Sequence, residues 1–123
     1  MKILINISNH PSSKWSPEQR AGWDKIVDIQ FPNIDPEADM DEIEALSSKI
    51  FEEVRAIYEN WLGYIYVYVA GEYTFSYSLF YKLKQFGANV VIPTTRRVVE
   101  ERLKDDGSIE KVAIFKFIRW RYL

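Results

Sequence analysis

The sequence has no cysteine and a single histidine, His10, among its 123 residues. The absence of cysteine excludes disulfide bonds, thiolate zinc sites and cysteine nucleophiles. With only one imidazole, a zinc site built from histidines is nearly excluded as well. We therefore expect neither a metal site nor a bound cofactor.

Long apolar runs are also missing. No apolar stretch reaches the ~18 residues of a membrane-spanning helix, and the first apolar run is too short for the core of a signal peptide. We expect a cytoplasmic protein that does not contact a membrane. Acidic and basic residues nearly balance, 18 against 16. The net charge of −2 argues against general binding of duplex nucleic acid.

The residues that are abundant are those of an ordinary globular domain. Apolar residues make up 47% of the chain and charged residues 28%, and the length suits one domain, residues 1–123, with one core. The aromatic share is high, at 15%. Such side chains dominate cores and interfaces, and we expect most of them in one or the other.

Short runs of β-branched and aromatic residues alternate with segments of helical periodicity up to Ile92. These runs predict strands at residues 2–7, 26–31, 64–70 and 89–92. Helices are predicted to begin at Ser16-Pro17, within the acidic segment 35–44, and near Thr74, the last one ending at Gly87. The turn at Asp106-Gly107 predicts an antiparallel hairpin of residues 97–103 and 109–121. The sequence leaves open whether the fourth strand ends at Ile92 or leads into this hairpin.

The alternation predicts an α/β fold with a Rossmann-like open sheet. We expect about four parallel strands in the order 2-1-3-4, helices on both faces, and the hairpin extending the strand-4 edge. Residues 1–96 would form the βα core and residues 97–123 the hairpin. In this order the connections reverse direction between strands 1 and 3, and ligands bind at such a point.

A polar cluster follows the first strand: Ser8, Asn9, His10 and Ser12. One interpretation is that these side chains cap and brace a turn. The other is that Ser8, Asn9 and Ser12 bind a ribose, base or phosphate, with His10 as a catalytic acid or base. The sequence leaves both open.

A second cluster, residues 71–76, follows the third strand. Gly71 allows a sharp bend or a close approach of ligand to backbone, and Tyr73, Thr74 and Ser76 are candidate ligand-binding residues. Thr74 is equally suited to cap the next helix. Glu72 is a candidate base, or a simple helix cap.

A third cluster, residues 93–97, follows the fourth strand. Thr94 and Thr95 offer hydroxyls, and Arg96 and Arg97 are the adjacent guanidinium groups at this edge, suited to bind phosphate. The alternative is that the arginines pair with acidic residues of the hairpin. The last strand mixes cations with rings, which is typical either of base stacking or of packing with edge protection.

Four short motifs carry a resemblance to a known family. They are N-x-S-N-H-P-S-x-x-W from Asn6, F-P-x-I-D-P from Phe31, G-E-x-T-F-x-x-x-L from Gly71 and T-T-x-R-x-V from Thr94. With the basic-aromatic last strand, the chain resembles small CRISPR-associated proteins of the CARF-like, ring-nuclease-like group.

The resemblance implies a Rossmann-like homodimer that binds cyclic oligoadenylate, an antiviral second messenger, at the carboxyl ends of its strands. It also implies that the ring is either cleaved without metal, by attack of a ribose 2′-hydroxyl, or only sensed or sequestered. For cleavage the candidate catalytic residues are His10, Glu72 and Arg96. A structural interaction domain without a small ligand is the further alternative.

Overall fold

Five strands form one mixed sheet in the order β2-β1-β3-β4-β5, in a computed structural model that describes all residues, 1–123. The strands are β1 (Lys2–Ser8), β2 (Lys25–Gln30), β3 (Tyr64–Ala70), β4 (Asn89–Leu103) and β5 (Ile109–Tyr122). The helices are α1 (Pro17–Arg20), α2 (Met40–Asn60) and α3 (Tyr73–Phe86). None of these helices combines the length and apolarity needed to cross a membrane.

The first four strands run parallel, in the predicted order. β1 pairs with β2 on one side and with β3 on the other, so that Ser8 lies beside both Gln30 and Ala70. β4 pairs with β3 only at its start, through Asn89 and Val90. The connections therefore reverse between β1 and β3, as the sequence predicts, and the loops after these strands begin side by side.

Both long helices cover the same face of the sheet. The buried stripe of α2, which includes Ile50 and Val54, and the stripe of α3, which includes Leu79 and Leu83, pack on the inward residues of β1 and β3. Asp39 caps the start of α2 by accepting from the Glu42 amide at 2.9 Å. This face holds the larger of two apolar clusters.

The opposite face has a smaller, aromatic cluster. Trp120 packs there against Trp15, Trp23 and Tyr68, with ring centroids 5.5–5.7 Å apart. The one helix on this side is α1, a single turn whose N-cap Ser16 accepts from the Gln19 amide as predicted. We predicted helices on both faces; here the large rings, rather than a long helix, fill the space.

The fourth strand leads directly into the hairpin, one of the two possibilities that the sequence left open. Residues 93–97 therefore do not form a loop, and β4 continues unbroken through them to Leu103, paired with β5. Pro93 is tolerated because it lies next to a β-bulge at Thr94/Thr95, where the ladder is interrupted. The expected division at residue 96/97 therefore falls inside one strand.

β4 and β5 extend well beyond the carboxyl ends of the other strands. Residues 95–117, which we call the arm, contain the antiparallel pairs from Thr95–Phe117 to Leu103–Ile109. Eight residue steps of ~3.4 Å give the arm a length of about 27 Å. The base of the arm stands beside the loops where the sequence predicts a site.

Candidate functional site

The loop after β1 is held by a buried asparagine. Asn6 is 1% exposed, and its amide nitrogen donates to the His10 carbonyl at 2.9 Å and to Asp28 at 3.0 Å. Its amide oxygen accepts from the Ser8 hydroxyl at 2.7 Å. A buried amide with its hydrogen bonds satisfied fixes the conformation of what it binds.

The serines of this loop take part in the same network. The Ser8 hydroxyl also contacts the His10 backbone, and the Ser12 hydroxyl donates to Asp28 at 3.0 Å. The Trp15 indole donates to the His10 carbonyl at 3.0 Å. Ser8 and Ser12 thus brace the loop, while the His10 side chain is exposed to solvent.

A cleft of about 1150 Å³ lies between this loop and the base of the arm. Among its lining residues are Asn9, His10, Lys14, Trp15, Gln19, Tyr68, Thr95, Phe115, Lys116 and Phe117. Three of the predicted site residues, Asn9, His10 and Thr95, are therefore brought together here. No group of three or more His, Cys, Asp or Glu side chains is placed to hold a metal ion.

The cleft combines two lysines, one carboxylate (Glu18), hydrogen-bonding groups and aromatic rings. Lys14 makes no ion pair, whereas the Lys116 ammonium lies 3.7 Å from the Glu100 carboxylate. Burial raises the pKa of the Tyr68 phenol above its ordinary value, so this side chain stays neutral. A surface of this kind suits a ligand that carries both negative charge and flat apolar rings.

Gly71 lies against an aromatic ring rather than against open space. A Cβ atom placed on Gly71 would lie 2.3 Å from Cζ of Phe31. The Phe31 ring is 5% exposed and packs edge-to-face on Phe75, with centroids 5.1 Å apart. The missing side chain of Gly71 therefore makes room for core packing.

Glu72 is the N-cap of α3. Its carboxylate accepts from the amides of Thr74 and Phe75 at 3.0 and 2.9 Å, and from the Thr74 hydroxyl at 2.7 Å. The Phe75 amide, followed by the two Thr74 groups, lowers the pKa of Glu72. A carboxyl group with a lowered pKa is a poor general base near neutral pH.

Thr74 was a candidate for the N-cap of this helix, but the N-cap is Glu72. Glu72 also occupies the amides of Thr74 and Phe75, which are therefore not available to bind an anion. Tyr73 is 88% exposed on the outer side of α3, and the Ser76 hydroxyl is buried without a hydrogen-bond partner. Neither lines the cleft.

Glu72 instead borders a smaller depression of about 370 Å³. Its other walls include Asn9 and Asn33, from the loops after β1 and β2, and Gln30 at the end of β2. Asn9 lies on both concave surfaces and is the residue that they share. The single predicted crevice is therefore divided in two.

Of the residues predicted to bind phosphate, Thr95, Arg96 and Arg97 lie on the arm, and Thr94 directly precedes it. Thr94 donates its hydroxyl to the Arg119 carbonyl at 3.2 Å. Arg96 and Arg97 are consecutive in β4, so their side chains leave opposite faces of the arm, and neither lines the cleft. Neither forms the predicted ion pair with an acidic residue of the hairpin: Glu100 contacts Arg102 and Lys116 instead.

The residues that sequence reasoning did not assign to the site come from two segments. Lys14, Trp15 and Gln19 follow the first polar cluster, and Phe115, Lys116 and Phe117 belong to the basic-aromatic last strand. The alternation of cations and rings in that strand was the available signal. Whether this alternation indicated ligand binding or only packing depended on whether the last strand would lie beside the loop after β1.

The fold and the cleft define an α/β protein with an open, mostly parallel sheet and a concave surface at the carboxyl ends of its strands. The model of the Uncharacterized protein MJ1673 family matches residues 2–121, and the chain belongs to that family. No curated protein and no solved structure matches the chain.

Proposed function

We propose that the protein binds a cyclic oligoadenylate in the cleft, as a cytoplasmic homodimer related to the CARF-like, ring-nuclease-like proteins of CRISPR defence. The observation that carries this proposal is the juxtaposition of an unpaired lysine, an imidazole and several aromatic rings in one cleft. A cyclic oligoadenylate presents the complementary groups, namely phosphates, ribose hydroxyls and adenines.

Each part of the ligand has a counterpart on the cleft wall. Lys14 supplies the charge for a phosphate, since it has no ion-pair partner in the chain. An adenine would stack on Trp15, a contact worth ~1–3 kcal/mol per base. Asn9 and Gln19 offer amides for base edges and ribose hydroxyls.

Ring opening, if it occurs, needs no metal. The 2′-oxygen attacks the neighbouring phosphorus, the bond from phosphorus to the 5′-oxygen breaks, and the proton lost by the 2′-hydroxyl is returned to the 5′-oxygen. His10 is the residue for these proton transfers, because it lines the cleft, is exposed, and has its backbone held by Asn6 and Trp15. Lys14 would stabilise the charge that develops on the phosphoryl group.

Sequestration without cleavage is the second candidate function. It is favoured by the state of Glu72, whose oxygens are engaged in capping α3, and by the position of Arg96 outside the cleft. Two of the three predicted catalytic residues are therefore poorly placed. On this alternative His10 contributes only a hydrogen bond to the ligand.

Binding is tested by calorimetry with cyclic tri-, tetra- and hexa-adenylate. We expect Lys14→Ala to weaken binding by roughly tenfold to a hundredfold, which corresponds to ~1.5–3 kcal/mol for a charged hydrogen bond. Lys84→Ala is the matched control, because Lys84 lies in the last turn of α3 and does not line the cleft. If no ring binds, or if both lysines are equivalent, the cleft is not the nucleotide site.

Turnover is tested by incubating the same rings with the protein, with and without EDTA, and separating the products by chromatography. Cleavage predicts linear products that end in a 2′,3′-cyclic phosphate and are insensitive to EDTA. His10→Ala should then lower the rate far more than the affinity. Intact ring at stoichiometric binding would identify sequestration instead.

A further inference from the structure

The arm exposes apolar side chains on a face that no other part of the chain covers. Alternation along each strand places Arg97, Val99, Glu101 and Leu103 of β4 on one side, opposite Phe115, Ala113, Lys111 and Ile109 of β5. We call these eight residues the arm face. The four large apolar members are 51–77% exposed.

Such a face is costly to leave in water. A two-stranded ribbon is marginally stable without a third strand or a helix against it, and the arm has neither over most of its length, since β3 pairs only with the start of β4. Contiguous exposed apolar surface on a soluble domain marks a contact site. We therefore expect a binding partner to cover this face of the arm.

The pattern of charges on the arm face is complementary to itself. Consider a second copy stacked face to face on the first. The two copies are related by a two-fold axis that runs across the ribbon, parallel to the line from Val99 to Ala113. Residues equally distant from that pair then meet, so Arg97 of each copy lies over Glu101 of the other. Lys111 of each copy likewise lies over Phe115 of the other, which permits a cation–π contact.

We infer that the arm face is the surface through which two copies of this chain form a homodimer. Every charged residue of the face then meets an opposite charge or a ring. Val99 and Ala113 each meet the same residue of the other copy, and Leu103 and Ile109 reach Thr95 and Phe117 of the other copy. This inference specifies the interface of the homodimer that forms part of the proposed function. It does not depend on nucleotide binding.

The overlap of two arm faces stacked in this way is small. A ribbon about 27 Å long and ~10 Å wide covers about 270 Å² per copy in projection. A contact of this size is in the range of weak, reversible association. Pairing of the two β5 edges is less favourable, because Lys111, Lys116, Arg119 and Arg121 all lie on that strand.

A second exposed aromatic surface provides the competing interface. Tyr73, Tyr77 and Tyr81 recur every four residues along α3 and are 60–88% exposed. This stripe carries no pattern of opposite charges that would specify a second copy of the chain. Tyr77→Ser therefore serves as the variant for the alternative.

The test is sedimentation equilibrium of the full chain without nucleotide at micromolar concentration. We expect the wild type to sediment as two chains of 14.5 kDa each. Arg97→Glu and Glu101→Arg should each raise the dissociation constant at least tenfold, by placing like charges opposite one another. The double variant Arg97→Glu/Glu101→Arg restores the pairing and should recover dimerisation.

Arg96→Glu is the matched control, because it makes the same charge change on the adjacent residue of the opposite arm face. It should leave the dimer unchanged. Circular dichroism checks that each variant is folded. Three results would overturn the inference. The first is a wild-type protein that sediments as a monomer, and the second is a dimer that is dissociated by Arg96→Glu or Tyr77→Ser but not by Arg97→Glu. The third is a double variant that dimerises no better than the single variants.

Discussion

Substitution of Gly71 by alanine tests whether this glycine serves packing or ligand binding. The new methyl group would lie 2.3 Å from Cζ of Phe31 and 2.4 Å from Cε2. Carbon atoms in contact are normally 3.5–4.0 Å apart. The ring would therefore have to move by more than about 1 Å.

The displaced ring has little room, because Phe31 is 5% exposed and its edge packs on the fully buried Phe75. Overpacking of this kind costs ~1–3 kcal/mol. For a chain of this size we expect the midpoint of thermal unfolding to fall by roughly 3–5 °C per kcal/mol. Gly71 has no left-handed backbone angle, so the steric contact alone is responsible.

The measurement is urea denaturation of Gly71→Ala, Phe31→Leu and the double variant. Because Phe31→Leu removes the ring atoms that the methyl group would meet, the double variant should be more stable than the sum of the single effects predicts. We expect a coupling free energy of ~1–2 kcal/mol. Calorimetry with cyclic oligoadenylate is repeated on each folded variant.

Two results would refute this reasoning. One is a Gly71→Ala protein of unchanged stability, which would mean that the ring is free to move. The other is additive single effects, which would mean that the methyl group does not contact Phe31. If Gly71→Ala lowered the nucleotide affinity without changing the stability, Gly71 would belong to the binding site, as the sequence predicts.

Two further predictions concern the loop and the helix beside it. Asn6→Ala removes hydrogen bonds to the His10 carbonyl, Asp28 and Ser8; we expect a loss of ~2–4 kcal/mol in urea denaturation, whereas the exposed Asn33→Ala should change stability by less than ~0.5 kcal/mol. Glu72→Gln should destabilise the protein at pH 7 and cease to matter at low pH. Because folding lowers the pKa of Glu72 below 4.5, its contribution is present above that value and disappears as the pH falls through the folded-state pKa; equal differences in unfolding midpoint at pH 7 and pH 3 would contradict this.

The order of the parallel strands could be predicted from the sequence because it depends on local patterns. β1 is an almost continuous apolar run, and its residues from Ile3 to Ser8 are buried. Ser16 and Gly87 cap helices where their residue types predict helix ends. Right-handed crossovers then leave few possible orders for the strands. The same patterns indicated that polar loops would meet at the carboxyl ends.

The extent of β4 could not be read in the same way. Pro93 usually ends a strand, and only the pairing with β5 and the adjacent bulge allow the strand to continue. This matters for the predicted phosphate site, because Arg96 and Arg97 lie on opposite faces of the arm and not together in a loop. Long-range pairing, not local propensity, decided this.

The composition of the candidate site was likewise a matter of tertiary structure. The sequence by itself determined that polar groups follow β1, and Asn9, His10 and Thr95 do line the cleft. Only the fold decided that the base of the arm would face that loop and bring Phe115 and Phe117 beside Trp15. The physical reason is that these segments are about a hundred residues apart in the chain, and the contact between them depends on the twist and length of a strand pair that no local pattern specifies.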